Sequence, residues 1–197
     1  MKRLFDIIFS FFGLIFLFPL LLFISILIVL DSKGGIFYRQ IRVARGNKDF
    51  LIFKFRTMRP DSDKAGLLTV GEKDNRITKI GYILRKYKLD ELPQLLNVLI
   101  GDMSAVGPRP EVRKYVDMYN EEQLKVLTIR PGITDYASIE YSRENELLSK
   151  SDNPEKTYID EIMPAKLKLN LKYISEAGFA TDIKIIFRTL GKIITVS

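Results

Sequence analysis

Apolar residues crowd the first thirty positions and then thin out into periodic stripes. From Ile7 to Leu30 the chain reads IIFSFFGLIFLFPLLLFISILIVL, 24 residues without a charge, bracketed by Asp6 and Asp31. A helix needs about 20 apolar residues to match a bilayer's hydrocarbon core, so this run predicts a membrane helix. A signal peptide would have a shorter apolar core and a small-residue cleavage site, whereas Asp31-Ser32-Lys33 follows directly. Pro19 falls near the middle. Proline lacks an N–H and clashes with the preceding turn, so it kinks a helix. The kink leaves arms of about 12 and 11 residues, each ~17 Å long, and neither crosses a bilayer alone. Lys2 and Arg3 precede the run; Lys33, Arg39, Arg42, Arg45 and Lys48 follow it. Positive charge favours the cytoplasmic side. Cations on both flanks fit a re-entrant helix that enters and leaves by one face. A plain spanning helix with a tolerated proline fits as well. Charge and proline alone leave both open.

The pattern divides the chain into a membrane segment, 1–32, and one soluble domain attached to the membrane, 33–197, which the family resemblance given below implies is cytoplasmic. Gly35 to Met58 reads as strand, turn, strand, with Arg45-Gly46-Asn47-Lys48 as the turn. Alternation puts Lys54 and Arg56 on one face and Phe53 and Phe55 on the other. Residues 60–75 read as a polar loop. Ile77, Ile80, Ile83 and Leu84 suggest a short helix. Leu92, Leu95, Leu96, Leu99 and Ile100 give a stronger amphipathic one, with Pro93 in its first turn, Asp90 at its start and Gly101-Asp102 ending it. Glu111–Leu127, Glu155–Glu176 and Asp182–Ile194 are read as further helices. The last carries Ile183, Ile186, Phe187, Leu190 and Ile194 on one side, a face suited to an anionic membrane surface or to its own domain. The fold class expected is α+β and mainly helical, with a small β-hairpin and membrane-surface amphipathic helices.

Composition narrows the chemistry. The 197 residues hold no Cys and no His. That excludes disulfides, thiolate nucleophiles, Ser-His-Asp triads and His- or Cys-ligated metals. What remains are carboxylates, Lys, Arg, Tyr, Ser/Thr, or a metal held by oxygens. The net charge of +7 is modest, and basic and aromatic residues are not interleaved as a stacking platform, so nucleic acid is not expected as a partner.

Two stretches carry candidate chemistry. In Arg85-Lys86-Tyr87-Lys88-Leu89-Asp90-Glu91-Leu92-Pro93-Gln94, adjacent carboxylates follow several cations. An Asp before a Pro-containing helix is by itself most often a cap. The cations and the amides of a helix start suggest instead a metal–phosphate site. Asp is also a nucleophile that needs no base, since its reference pKa of about 3.9 leaves it ionised at neutral pH. In Gly107-Pro108-Arg109-Pro110-Glu111, prolines on both sides stiffen the backbone under a guanidinium, a group that grips phosphate oxygens bidentately. Lys54, Arg56, Arg130 and Arg143 are weaker signals, each by itself best read as a solvated surface cation.

The runs FYRQIRVARGNKDFLIFKFRTM, RITKIGYILRKYKLDELPQLLNVLIGDMSAVGPRPE and RPGIT together resemble the bacterial sugar transferase family, small monotopic phosphoglycosyl transferases. The likeness covers nearly the whole chain, and the spacing of DELPQ, GDMS and GPRP is its most specific part. The resemblance implies transfer of a phosphosugar from a UDP-sugar to a polyprenol (undecaprenyl) phosphate, with release of UMP, as the first step of a lipid-linked polysaccharide or glycoprotein glycan. It implies Asp90 as a nucleophile forming a covalent phosphosugar intermediate and Glu91 as the partner associated with Mg²⁺. It further implies Lys54, Arg85, Arg109 and Arg143 as phosphate-binding residues, and Pro19 as the break of a re-entrant helix at the cytoplasmic face of the bacterial inner membrane. Membrane lipid and downstream glycosyltransferases are implied partners, and a homodimer is left open. Two positions depart from the family pattern. Asp135-Tyr136 follows RPGIT where many members carry Gly, and Leu169-Asn170 precedes Tyr173 where members often have Leu-Asp. Both bear on sugar or nucleotide contacts, and no role is carried over to Asn170. The rival reading is a membrane-tethered scaffold of a glycan assembly machinery, without catalysis.

Overall fold

The computed structural model describes residues 1–60, 62 and 74–195, with side chains as far as Lys192. The stretch read as a polar loop, 60–75, lies largely outside them. In chain order the elements are α1 (Lys2–Asp31), β1 (Phe37–Ala44), β2 (Lys48–Phe55), α2 (Lys79–Lys86), α3 (Gln94–Ile100), β3 (Ser104–Val106), α4 (Arg113–Val116), β4 (Gly132–Thr134), α5 (Tyr136–Glu140), α6 (Glu144–Ser149), α7 (Pro154–Thr157), α8 (Met163–Glu176) and α9 (Phe179–Thr195). The expected helix over Glu111–Leu127 is replaced by the short α4 and a 3-10 segment, Gln123–Thr128. Its apolar residues Val112, Tyr115 and Val126 still enter the largest core cluster, with Leu148, Tyr158, Ile162, Met163 and Leu167. Burial did not require helical spacing there. A π-helical turn, Tyr158–Ile162, joins α7 to α8, so Glu155–Glu176 does form one helical run.

α1 is fastened to the domain at both ends. At its start, Lys2 Nζ donates to Tyr173 and Asp182, and Arg3 donates to the carbonyls of Val98 and Leu99, capping α3 with a cation. Buried Asp6 accepts from Ser104 Oγ (3.0 Å) and Ala105 N (2.9 Å). At its end, Asp31 accepts from Ile80 N at the start of α2, and the Arg56 guanidinium donates to the carbonyls of Ser32 and Lys33. Between these points Asp6, Ser10, Gly13, Leu17, Leu21, Ile24 and Ile28 recur three or four apart and form the less exposed stripe of the helix. That is one helical face. Phe12, Phe16, Phe18, Phe23 and Leu30 stand out on the other sides, each more than half exposed. α1 is the one helix among the described residues long and apolar enough to cross a membrane.

The small sheets position the loops. β1 and β2 pair antiparallel around Arg45–Asn47, with Tyr38 opposite Lys54 and Arg42 opposite Phe50. Alternation sends Phe50 and Ile52 into a cluster with Val98 and Met103, while Phe55 joins Ile24, Ile28 and Leu84. β3 and β4 pair in parallel, bringing the Gly-Pro-Arg-Pro and Arg-Pro-Gly-Ile-Thr stretches side by side. Gly107 N donates to Thr134 O and Gly132 N to Pro108 O. The two backbones pass too close for side chains: a Cβ on Gly132 would meet Gly107 N at 2.0 Å. Gly132→Ala is therefore expected to cost ~3 kcal/mol or more, beyond ordinary overpacking because backbone cannot yield as a side chain does. A chemical denaturation midpoint equal to that of the wild type would contradict this.

Candidate active site

Sequence dictates an abrupt turn ahead of the Asp-Glu pair. α2 stops at Lys86, and Lys88 adopts a left-handed conformation (φ 56°, ψ 20°). That conformation costs a non-glycine residue about 1–2 kcal/mol. The chain then makes a 3-10 turn, Leu89–Glu91, and enters α3 behind Pro93. Leu89 packs against the Ile24–Ile28–Phe55–Leu84 cluster, and Leu95 of α3 lies against Gly13. α1 thus braces the turn that carries Asp90 and Glu91. Asp90 is not a helix cap: no side-chain cap bond forms at α3.

The two carboxylates live in different surroundings. Glu91 is held by a bidentate grip: Arg109 Nη1 donates to Oε2 at 2.9 Å and Nη2 to Oε1, while Lys54 Nζ reaches Oε1 at 3.2 Å. Burial by itself would raise its pKa, but Arg109 and Lys54 outweigh that and hold Glu91 well below the usual carboxylate range. Asp90 is 8% exposed, and among the described residues no hydrogen bond or ion pair engages its carboxylate. Burial, and then the Glu91 charge, push it above the usual range; Lys54, Arg85 and Lys88 pull it down without cancelling them. Lys54 is lowered by burial, partly offset by Glu91, and Arg109 is raised chiefly by Glu91. One carboxylate is locked into structure. The other is desolvated and, among the described residues, has no hydrogen-bond partner.

Arg109 is fixed at several points besides its guanidinium. Its N–H donates to Asp135 Oδ2 at 3.0 Å, and Asp135 Oδ1 accepts from Ser138 N, capping α5. Arg42 Nη1 donates to Pro110 O and to Glu111, which also accepts from Tyr158. Asp135, fully buried, is thus a tether for the Arg109 backbone. Asp135→Asn keeps one acceptor oxygen but turns its N–H₂ toward the other backbone N–H, so it should hold the tether only in part and lose about 3- to 10-fold in turnover. Asp135→Ala should lose ~10- to 100-fold, since a misplacement of about 1 Å is enough for that. Equal activity in both variants would remove the tether.

Lys54, Arg85, Asp90, Glu91, Arg109 and Arg143 all line one open cavity of about 1030 Å³. Arg143 is the outlying member, 61% exposed and 3.8 Å from Glu146 at the start of α6. Pro19 lies on the exposed side of α1, apart from the cavity. The cavity is two-natured. Cations and the carboxylate pair form one part. Phe9, Gly13, Phe16 and Leu17 of α1, with Ile186 and Leu190 of α9, form the other. Sequence reading passed over Arg42, whose side chain shares a strand face with Lys54 in the β1–β2 register. The hairpin turn at 45–48 was signal enough to find it. The Asp135 tether had no such signal, because it depends on β3 meeting β4.

An apolar helix is braced against a buried Asp-Glu pair, and a cation-rich cavity opens between them. The sequence matches the family model described as "Bacterial sugar transferase" over residues 1–196, and the chain belongs to that family. It is 35% identical over 182 residues to a UDP-N-acetylgalactosamine-undecaprenyl-phosphate N-acetylgalactosaminephosphotransferase of Aeromonas hydrophila, covering 90% of this chain and 40% of the relative. It is 39% identical to the exopolysaccharide production protein PSS of Rhizobium leguminosarum bv. phaseoli, covering 96% of this chain and 93% of the relative. It is 34% identical to the UDP-glucose:undecaprenyl-phosphate glucose-1-phosphate transferase of Escherichia coli K12, covering 98% and 40%. The chain thus spans well under half the length of two of these three relatives.

Proposed function

We propose that this chain transfers a phosphosugar from a UDP-sugar to undecaprenyl phosphate, through a covalent intermediate on Asp90, and so opens the assembly of a lipid-linked glycan. The observation that carries this reading is the buried Asp90 carboxylate, without a hydrogen-bond partner among the described residues, lining a cavity ringed by cations and walled in part by α1. Asp90 attacks the β-phosphorus of the donor. The bond from that phosphorus to the bridging oxygen breaks, and UMP leaves with the electron pair. A phosphate oxygen of undecaprenyl phosphate then attacks the acyl phosphate, forming the diphosphate and returning Asp90 as a carboxylate. Two half-reactions at one site predict ping-pong kinetics. Arg109 and Lys54, already held by Glu91, present positive charge to the diphosphate and to charge developing in the transition state.

Magnesium fits the donor set. Among the described residues no three acidic groups gather to form an all-protein cage. Mg²⁺ usually takes only one or two carboxylates and fills its octahedron with water and substrate phosphates. A carboxylate has about four lone-pair sites. Arg109 and Lys54 occupy three on Glu91, leaving one on Oε2. When bound, the ion would supply neutralisation of the donor's diphosphate.

The contacts at both ends of α1 support a re-entrant helix over a spanning one. A spanning helix carries one end to the far side of a ~30 Å core. Here Arg3 and Asp6 at one end, and Ile28 and Asp31 at the other, bind the same domain. The domain then sits on the cytoplasmic face of the inner membrane, where UDP-sugars are available.

The test is direct. Purified protein is mixed with undecaprenyl phosphate, Mg²⁺ and a panel of UDP-sugars, and UMP is measured. One donor is expected to release UMP, and chelation by EDTA is expected to abolish the release. Failure of every donor would reject the reading, and turnover persisting in EDTA would remove the metal.

A further inference from the structure

β3 has a strand beside it on one edge only. Ser104 and Val106 pair with Gly132 and Thr134 of β4, and Ser104 N donates to Pro131 O. Strand amides alternate between edges, so Ala105 N, between the two, points away from β4. There it meets α1. Asp6 Oδ1 accepts from Ala105 N at 2.9 Å and from Ser104 Oγ at 3.0 Å. A carboxylate from the apolar helix stands where a further strand would be. All three residues are buried, so without Asp6 the Ala105 amide would be shut away from water and unpaired. Asp6 belongs to the inward stripe of α1, whose later members Gly13, Leu17, Leu21, Ile24 and Ile28 are small or apolar. Burying a carboxylate on such a stripe is costly unless it is hydrogen-bonded, and β3 supplies those bonds.

What β3 carries gives the contact its meaning. The strand runs straight into Gly107-Pro108-Arg109, and Ala105 itself lines the catalytic cavity. Gly107 N and Pro108 O are bonded to the β4 stretch, so the two strands and the arginine arm form one stiff piece. α1 also supports the other half of the site. Its Gly13 lies against Leu95, and its Ile24 and Ile28 share a cluster with Leu89, on either side of Asp90 and Glu91. One helix therefore serves as a common reference for the carboxylate turn and the arginine arm.

We propose that Asp6 is a positioning residue for the transfer reaction: through Ala105 N it sets the arginine arm against the Asp90–Glu91 turn, so that Arg109 meets the donor's phosphate in register. The assignment rests on the phosphosugar-transfer reading above. Its working feature is the acceptor oxygen and not the negative charge. Both donors converge on Oδ1, so an asparagine with its oxygen at that place keeps both bonds.

The experiment uses the full chain, with Asp6→Ala and Asp6→Asn each made alone and combined with Arg109→Ala. kcat/KM is read from UMP release, with whichever UDP-sugar the wild type turns over. Hydrogen–deuterium exchange is read over residues 104–107 and over the hairpin, 37–55. Asp6→Ala should lose ~10- to 100-fold in kcat/KM, the range set by a shift of about 1 Å in a positioned group. Asp6→Asn should recover most of that. In the Arg109→Ala background Asp6→Ala should cost less than ~3-fold, because the group it positions is gone; a general structural defect would cost the same in both. Exchange over 104–107 should quicken in Asp6→Ala while the hairpin stays protected. Normal turnover by Asp6→Ala, an Asp6→Asn as impaired as Asp6→Ala, or losses that multiply in the double variant would each overturn the proposal. Should Asp6→Ala lose protection in the hairpin as well, it has unfolded, and Ser104→Ala, which takes one donor from the same oxygen, carries the cycle. It is then expected to lose ~3-fold alone and nothing further with Arg109→Ala, and full activity would overturn the proposal. A wild type that releases no UMP from any donor sinks the transfer reading; wild-type turnover with an indifferent Asp6→Ala sinks this assignment alone.

Discussion

Asp90→Asn should leave a protein that is folded, more stable, and nearly dead. Turnover is expected to fall by ~10⁴-fold or more, as when a covalent nucleophile is removed elsewhere. Asparagine matches the shape of aspartate, so the cavity and the Glu91–Arg109 grip survive. The stability change has a definite sign. Burial, and then Glu91, raise the folded-state pKa of Asp90 above its unfolded value. A group raised in this way favours folding at low pH, and that contribution is lost as pH climbs through the folded pKa. At neutral pH the buried anion is therefore a burden, and the neutral amide relieves it. The variant should melt higher than wild type at pH 7, with the gap closing below about pH 4, where the acid is protonated in both states. The same shift predicts that activity falls on acidification at a pH above the ordinary carboxylate range. Unchanged turnover would point to a scaffold and not a catalyst. A lower melting temperature at pH 7 would show the carboxylate satisfied in a way the structure does not hold.

Arg109→Ala carries the second large effect, and here activity and stability fall together. The guanidinium is the grip on Glu91 and lines the cavity proposed to take the phosphate. Loss of such a group typically slows phosphoryl transfer by ~10³-fold or more. It also leaves Glu91, 13% exposed, with Lys54 as its one remaining ion-pair partner among the described residues. Breaking a buried pair costs about 3–5 kcal/mol, but the Arg109 side chain is 32% exposed, so water and Lys54 bring the loss to the lower end or below. Glu91's depressed pKa gives that loss a pH signature. The stabilisation is present above its unfolded pKa and disappears as pH falls through its folded one. Wild type and variant should therefore differ in melting temperature at pH 7 and converge in strong acid. Arg109→Lys keeps charge without the fork and should fall between the two. An Arg109→Ala protein as active as wild type would remove this residue from phosphate binding.

Where the sequence was legible, the reason lies in local rules. The 24 uncharged residues and the hairpin's alternation follow from chain-neighbour physics, and both elements are present where expected. The Asp90-Glu91 pair stood out by its adjacency, and Lys54, Arg85, Arg109 and Arg143 by a family resemblance; the structure brings all six to one cavity. Long-range placement was not readable in this way. Nothing near Glu91 in the chain announces that Arg109 will grip it; that follows from β3 and β4 pairing through two glycines. Nor does Asp135 advertise a bond to Arg109 N. The segment after Glu111 misled for the opposite reason. Its apolar spacing suits a helix, yet a short α4 and a 3-10 segment bury the same residues against α8. Pattern reports what will be buried more securely than the backbone geometry that buries it.

The measurement that goes to the heart of the matter is mass spectrometry of protein quenched seconds after mixing with its donor, with no lipid acceptor present. The account predicts a phosphosugar attached to the peptide that contains Asp90, absent in Asp90→Asn and discharged when undecaprenyl phosphate is added. An enzyme that forms product with the lipid yet never carries that mass, at any quench time, would contradict it.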